Sequence, residues 1–307
     1  MSSRSCRHDS NNSRVSVVMI GMAIIGLGFA PVLTAQEKPI KITNDGLFKQ
    51  RPCWSNDQHY LTFARHRGDT IFLFLHDMKT GQEERLTQSM HPEFDAVFSP
   101  DGKEMLFAFD KVSPGQGDID VHRLQLSDRK STLLAGTEQG LSHEESPSWA
   151  PDGQRFAFTS TRHGNQELYV ASTTGGPWQR LTDDVAIDSH PAWSPDGKTI
   201  AFATSRWGDL EIALINPDGS NLRRLTESRG MDDYPAWSPN GRTIAYMSKR
   251  DGNNEIYLQP LNGPAKNVTN DPGIDNFPTF TTDGRLGFVS NRDGGFDIYL
   301  MKLPDLR

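Results

Sequence analysis

The chain has 307 residues, with 32 Lys and Arg against 39 Asp and Glu, for a formal charge of −7. That acidity excludes the basic footprint nucleic-acid binding requires, so no nucleic acid is expected as a partner. Two cysteines, Cys6 and Cys53, are too few for a disulfide framework.

Residues 1–14 are polar and carry Arg4, Arg7 and Arg14, and residues 15–33 (VSVVMIGMAIIGLGFAPVL) hold no charge. A basic start, an apolar run and the small residues before Gln36 predict a secretory signal cut after Ala35. The apolar run also has the length of a minimal membrane span, so the alternative is an uncleaved N-terminal membrane anchor. Both place the rest of the chain outside the cytoplasm, periplasmic or secreted. No cysteine directly follows the run, which argues against lipoprotein processing. Removing residues 1–35 leaves 29 basic and 38 acidic residues, a charge of −9, with Cys53 the remaining cysteine. Beside Trp54, Cys53 reads as a small buried apolar side chain.

Residues 36–307 are organised by one stretch that occurs six times. Its cleanest copy is Asp188–Thr226, DSHPAWSPDGKTIAFATSRWGDLEIALINPDGSNLRRLT. The marker aromatics Trp54, Phe98, Trp149, Trp193, Trp237 and Phe280 are spaced 44, 51, 44, 44 and 43 residues apart. A fixed period of about 40–50 residues belongs to solenoids, propellers or arrays. Within the copy, Pro195-Asp196-Gly197 is turn chemistry. Lys198–Thr204 is apolar on both alternating faces, with Ile200 and Phe202 on one and Ala201 and Ala203 on the other. A strand apolar on both faces is covered on both. Strands at Glu211–Ile215 and Leu222–Thr226 complete a four-stranded sheet, and radial stacking of such sheets is a propeller.

The sixth copy ends after its third strand. Lys41-Ile42-Thr43-Asn44-Asp45, ahead of the first copy, repeats the pattern of the outer strands at 180–184 and 267–271. The expected fold is therefore an all-β, six-bladed β-propeller closed by an N-terminal strand that completes the last blade. The second copy departs: Phe107-Ala108-Phe109 lacks the following S-x-R, and extra residues lie near Val112–Gly117 and Ala135–Ser142. Such insertions fall in loops, where binding often sits.

Two polar positions recur. An acid stands five residues before the marker aromatic at Glu93, Glu144, Asp188, Asp232 and Asp275, with Lys49 the exception. An arginine ends the second strand at Arg67, Arg162, Arg206, Arg250 and Arg292, followed at a step of five by Glu167, Glu211, Glu255 and Asp297 for the last four. Each arginine is expected to bridge its own hairpin acid, the neighbouring blade's acid, or both. The first ring is expected to surround the channel as a negative mouth that attracts a cation or a basic segment. Asp232-Asp233 reads as a solvated pair.

No catalytic residue is assigned. His91, His143 and His190 fall in comparable loops at different offsets from the marker aromatic, so they predict no shared metal site. H-E-x-x-H, an EF-hand loop and G-x-S-x-G are absent. Asp101, Asp152 and Asp196 read as turn formers on the opposite face.

The repeat PxWSPDGxxIAFxSxRxGxxEIYxxxxxGxxxxRLT resembles the WD40-like repeat of TolB-type propellers over about residues 40–303, without the Gly-His and Trp-Asp marks of ordinary WD repeats. The resemblance implies a periplasmic, monomeric six-bladed propeller with no cofactor. Its channel mouth would bind a protein partner in the envelope, of the peptidoglycan-associated lipoprotein type. It places Glu144, Asp188, His190, Asp232, Tyr234, Asp275 and Phe277 nearest that mouth. The N-terminal α/β domain that TolB carries has no counterpart between residue 35 and the closing strand, so a bare propeller is expected. The repeat also resembles the propellers of prolyl-oligopeptidase-like enzymes and of oligogalacturonate lyases, which use clustered histidines and a metal. The alternative reading is accordingly a metal-assisted polysaccharide lyase or hydrolase-like propeller.

Overall fold

The computed structural model describes residues 37–111, 118–136 and 141–303. The predicted leader and its cleavage point, and most of the two insertions of the second repeat, lie outside them. Among the described residues, every sheet is four-stranded and there are six of them. The innermost strands are Lys49–Trp54, Glu93–Phe98, Glu144–Trp149, Asp188–Trp193, Asp232–Trp237 and Asp275–Phe280, and they head blades 1 to 6 in chain order. Each is followed by antiparallel second and third strands and a short outer one, as in blade 4 with Ile200–Trp207, Asp209–Ile215 and Arg223–Arg224. In blade 6 the outer strand is Ile40–Lys41, antiparallel to Asp297–Met301 with Ile40 opposite Leu300 and Lys41 opposite Tyr299. Among the described residues no helix is long and apolar enough to cross a membrane.

The apolar faces are buried between blades. Ile200 and Phe202 of blade 4 pack with Ala157, Leu168 and Val170 of blade 3. On the other side, Ala201 and Ala203 meet Ile244, Tyr246 and Tyr257 of blade 5. Small residues on one face admit the bulky ones of the next blade, so each sheet is stable only between neighbours. Blade 6 closes on blade 1 the same way, with Phe277, Val289, Ile298 and Leu300 against Trp54, Leu61, Phe63 and Phe72. Two of the marker indoles also bind across blades: Trp149 Nε1 donates to Val97 O at 3.2 Å, and Trp237 Nε1 to Ala192 O at 3.0 Å.

The turns after the innermost strands are built as their sequence suggests. Asp196 accepts from Ser194 Oγ at 2.7 Å and from Lys198 N at 3.1 Å, and Gly197 takes φ +72°. Apart from Ser131–Ala135 of blade 2, the outer strands are shorter than Leu222–Thr226 predicted. In blade 4 the ladder stops because the Thr226 hydroxyl accepts from Ile212 N at 2.9 Å. It then donates to Glu211 at 2.6 Å.

Candidate functional site

All six innermost strands line one central channel. At the end where those strands begin, the third residue of each is Arg51, Asp95, Ser146, His190, Tyr234 or Phe277. Every one has a left-handed backbone, φ between 49° and 56°. The register with the second strand shifts at this point in all six blades. In five of them the next residue is proline, which has no N–H to give the ladder, so a bulge costs little pairing there. Left-handed non-glycine residues carry strain of roughly 1–2 kcal/mol each. Of these six side chains, Arg51, Tyr234 and Phe277 line the channel, while Asp95 and Ser146 are themselves buried.

The ring divides into two arcs. The His190 ring packs against Tyr234, tilted by 33° with centroids 4.1 Å apart, and Tyr234 meets Phe277 edge-on at 4.6 Å. Opposite them, Arg51 Nε lies 3.4 Å from Asp95 Oδ1, and Ser146 Oγ donates to Asp95 Oδ2 at 2.9 Å. The Arg51 guanidinium sits 5.5 Å from the Tyr234 ring centre and joins the arcs. Behind the aromatic arc, Asp233 Oδ1 lies 2.7 Å from His190 Nδ1 and accepts from Tyr234 N at 2.7 Å. Burial first, then Asp233, holds the Tyr234 hydroxyl well above its usual range, so it is a neutral phenol. Burial and the nearby Asp95 raise Glu145, whose carboxylate accepts from Gln166 Nε2 at 2.7 Å.

Below the ring the channel holds a cavity of about 150 Å³, walled by the repeated prolines and by small residues such as Ser148, Ala192, Ala236 and Thr279. Cys53 is on this wall, half-buried, and burial pushes its thiol up.

The acids expected at the mouth lie two residues earlier, and the structure corrects their role. Glu144, Asp188, Asp232 and Asp275 are each 0% exposed. Asp188 takes both guanidinium nitrogens of Arg206 at 2.6 and 2.7 Å, while Arg250 reaches Asp232 at 2.8 Å and Arg292 reaches Asp275 at 2.9 Å. Glu144 accepts from Ser160 Oγ at 2.5 Å and Ser142 Oγ at 3.0 Å. These arginines thus pair with the innermost acid of their own blade rather than with the hairpin acid. The hairpin acids Glu167 and Glu211 instead take Arg180 and Arg224 of the outer strand. Burial raises Asp188, Asp232 and Asp275 despite the arginines. Such buried, paired carboxylates are out of reach of a partner. Asp232-Asp233, expected as a solvated pair, is buried in a strand.

Blade 2 shows what the missing S-x-R does. Phe109 faces Glu93 where Ser160 faces Glu144. Lys111, the counterpart of the ring arginine, turns to Asp118 and Asp120 at 3.1 and 2.8 Å. Glu93 keeps a hydrogen bond from Thr87. Burial pushes its carboxyl up to about 7, against that bond and the charge of Arg85.

Of the predicted mouth residues, the structure therefore gathers His190, Tyr234 and Phe277 at the channel. Arg51, Asp95, Ser146 and Glu145 were not singled out from sequence, and Asp233 was read there only as half of a solvated pair. The available signal for Arg51 and Ser146 was position, directly before the repeated proline; Asp95 holds the same place before Ala96. His91 packs against Phe109 in blade 2, away from His190. Among the described residues no group of three or more His, Cys, Asp or Glu is arranged to hold a metal ion. Around the mouth, the loops leading into the innermost strands leave aliphatic side chains in solvent, among them Leu47, Met90, Leu141, Val185, Ile187 and Ile274. Val185 is 98% and Met90 77% exposed.

Fold and site together define a closed β-propeller whose channel mouth carries a strained, chemically mixed ring. The family model described as the TolB beta propeller domain matches residues 115–231 and 226–305, and the chain belongs to that family. The chain is 30% identical over 121 residues to the Tol-Pal system protein TolB of Francisella tularensis subsp. mediasiatica, an alignment covering 39% of this chain and 26% of that protein. It thus spans about a quarter of that relative's length. Among solved structures, the putative TolB from Agrobacterium tumefaciens superposes with TM-score 0.67 at 22% identity, covering 86% of this chain and 93% of the other. TolB from Acinetobacter baumannii gives 0.60 at 24%, covering 87% and 57%. An oligogalacturonate lyase from Vibrio parahaemolyticus gives 0.59 at 17%, covering 86% and 93%. These three likenesses concern the fold alone.

Proposed function

We propose that this protein is a binding module of the cell envelope, exported by its leader, that docks a protein partner over the channel mouth. The observation that carries this reading is the ring itself. Six strands hold their third residue in the same strained backbone, yet the side chains there are all different. A ring kept only for packing has no need of six chemistries, whereas recognition does. The aliphatic collar supports the same face, because exposed apolar side chains grouped around a concavity mark interaction sites. Family membership makes an envelope partner of the peptidoglycan-associated lipoprotein kind the first to test. The module works as a monomer and needs no cofactor.

The test is a pull-down from envelope extract with the unaltered chain and with a variant carrying His190→Ala, Tyr234→Ala and Phe277→Ala. Loss of the partner with the propeller still folded is the expected result. Recovery of the same partner in equal yield by both chains would remove the mouth from the function.

A further inference from the structure

The seam between blades 6 and 1 is built unlike the others. At Asp297 it gathers three parts of the chain: Lys41 Nζ at 2.9 Å, Thr43 Oγ1 at 2.9 Å and the wholly buried Lys49 Nζ at 3.0 Å. The Thr43 hydroxyl also accepts from Ile298 N at 3.0 Å, and Ile42 N donates to Ile298 O at 2.8 Å. Two residues further on, Asp45 meets Lys49 and, at 2.9 Å, Arg65 Nε. Lys41, Thr43 and Asp45 alternate along the chain. The first two contact a carboxylate and the third contacts two cations.

The same spacing is used inside blade 3. There Arg180 lies 3.2 Å from Glu167, Thr182 donates to that acid, and Asp184 N donates to it at 2.9 Å. An acid at the head of the third strand thus takes the basic and Thr side chains of such a segment in both blades, however it is connected, while the Asp is held by its N–H in blade 3 and by Lys49 and Arg65 in blade 6. In blade 3 the segment follows the third strand directly. In blade 6 it arrives from the other end of the chain, with two ladder residues, both exposed.

The seam differs from blades 3 and 5 in a second way. In blades 3 and 5 an asparagine two residues before the third-strand acid clamps the chain leaving the outer strand. Asn165 Nδ2 donates to Asp184 O and Ala186 O, each at 2.6 Å, and Asn253 Nδ2 to Asp271 O at 2.9 Å and Gly273 O at 2.6 Å. Blade 6 has Gly295 at that place, packed on Gly46 so closely that a Cβ would stand 2.5 Å from the Gly46 Cα. Side-chain clamps are replaced by charge pairs that any segment of the right pattern can make.

We propose that the outer-strand place of blade 6 is an acceptor site for an extended Lys/Arg-x-Thr-x-Asp segment. The occupant that exchanges with the chain's own residues 40–45 is the same segment of a second copy. Strand addition of this kind takes affinity from the ladder and selectivity from alternate side chains. Exchange of an identical element is a low-cost route to dimers. The chain's own segment has an effective concentration of about millimolar, so it prevails in dilute solution. Exchange then shows when copies are crowded or when the resident segment is weakened.

The test titrates a fluorescent peptide of residues 38–47 into the full chain, unaltered and with Lys41→Glu plus Thr43→Ala. The variant is expected to bind at least tenfold more tightly than the unaltered chain. That gain should vanish when Asp297→Asn is added, or when the peptide carries the same two changes. A folded variant that takes up no peptide overturns the proposal. Should the variant fail to fold, the unaltered chain decides: isotopically heavy and light batches are mixed at high concentration and cross-linked. Links between heavy residues 40–45 and light residues 297–301 support exchange, and their absence overturns it.

Discussion

Lys49 and Asp297 meet at 3.0 Å across the seam between the first and last blades, with side chains 0% and 1% exposed. In blades 4 to 6 the first residue of the innermost strand is an acid paired with an arginine of its own blade. Here the sign is reversed and the answer comes from the far end of the chain. Removing one member of a buried ion pair strands the other charge, at a cost of about 3–5 kcal/mol. Asp297→Ala is expected to lower the melting temperature by on the order of 10 °C. Lys49→Met combined with Asp297→Leu should lose less, because no buried charge is left alone. Thermal unfolding of the three chains checks this.

The acid ring makes an opposite claim to the one its periodicity first suggests. Asp188→Ala leaves Arg206, whose side chain is 11% exposed, without its bidentate partner. The expected outcome is a loss of several kcal/mol in denaturant unfolding. Partner binding per folded molecule should stay unchanged, since Asp188 has no surface to offer. Unaltered stability in this variant would contradict the buried pairing.

Glu93 predicts a pH dependence with a definite sign. Its native carboxyl titrates at about 7 against a starting value of 4.5, so the native state holds the proton more tightly than the unfolded chain. Its contribution is full below pH 4.5 and is lost as pH rises through 7, by on the order of 3 kcal/mol. The stability of Glu93→Gln relative to the unaltered chain should therefore increase across that window. Unfolding free energies of both chains at several pH values give the comparison, and a constant difference would count against the assignment.

Gly295→Ala tests the close crossing at the seam. Its Cβ would stand 2.5 Å from the Gly46 Cα and 2.9 Å from the Gly46 carbonyl oxygen, and both neighbours are backbone. The closing segment must move away, at a cost of about 1–3 kcal/mol. Hydrogen exchange should quicken at Ile42 and Phe296, whose N–H groups bond across this seam. The same readout at Ile212 in blade 4 should stay unchanged.

Thr43 and Thr226 make the same pair of bonds in different blades, each accepting from a third-strand N–H and donating to the acid beside it. Alanine at either position strips a buried carboxylate of a donor, at about 1–3 kcal/mol. The two losses should agree within about 1 kcal/mol by denaturant titration. A negligible loss at Thr43 alone would show the closing segment to be poorly held.

The repeated residues carry most of the architecture. Marker aromatics, Pro-Asp-Gly turns and two-faced strands such as Lys198–Thr204 act over a few residues or between neighbouring blades, so spacing alone defines blade number and strand order. The site was only partly legible, and the residues that misled are informative. Asp188 and Arg206 are 18 positions apart, and only the antiparallel pairing of two strands brings them together and away from water. A periodic acid looks the same in sequence whether it faces solvent or an arginine. Arg51, Asp95 and Ser146 escaped notice for the converse reason: their positions repeat and their chemistry does not. Sequence by itself determined the number of sheets, their order and the pattern of the segment before the first copy, because local propensity and periodic apolar faces suffice for those. Tertiary structure alone decided which polar side chains reach the channel, since that depends on a left-handed bulge and on partners supplied by other strands and other blades.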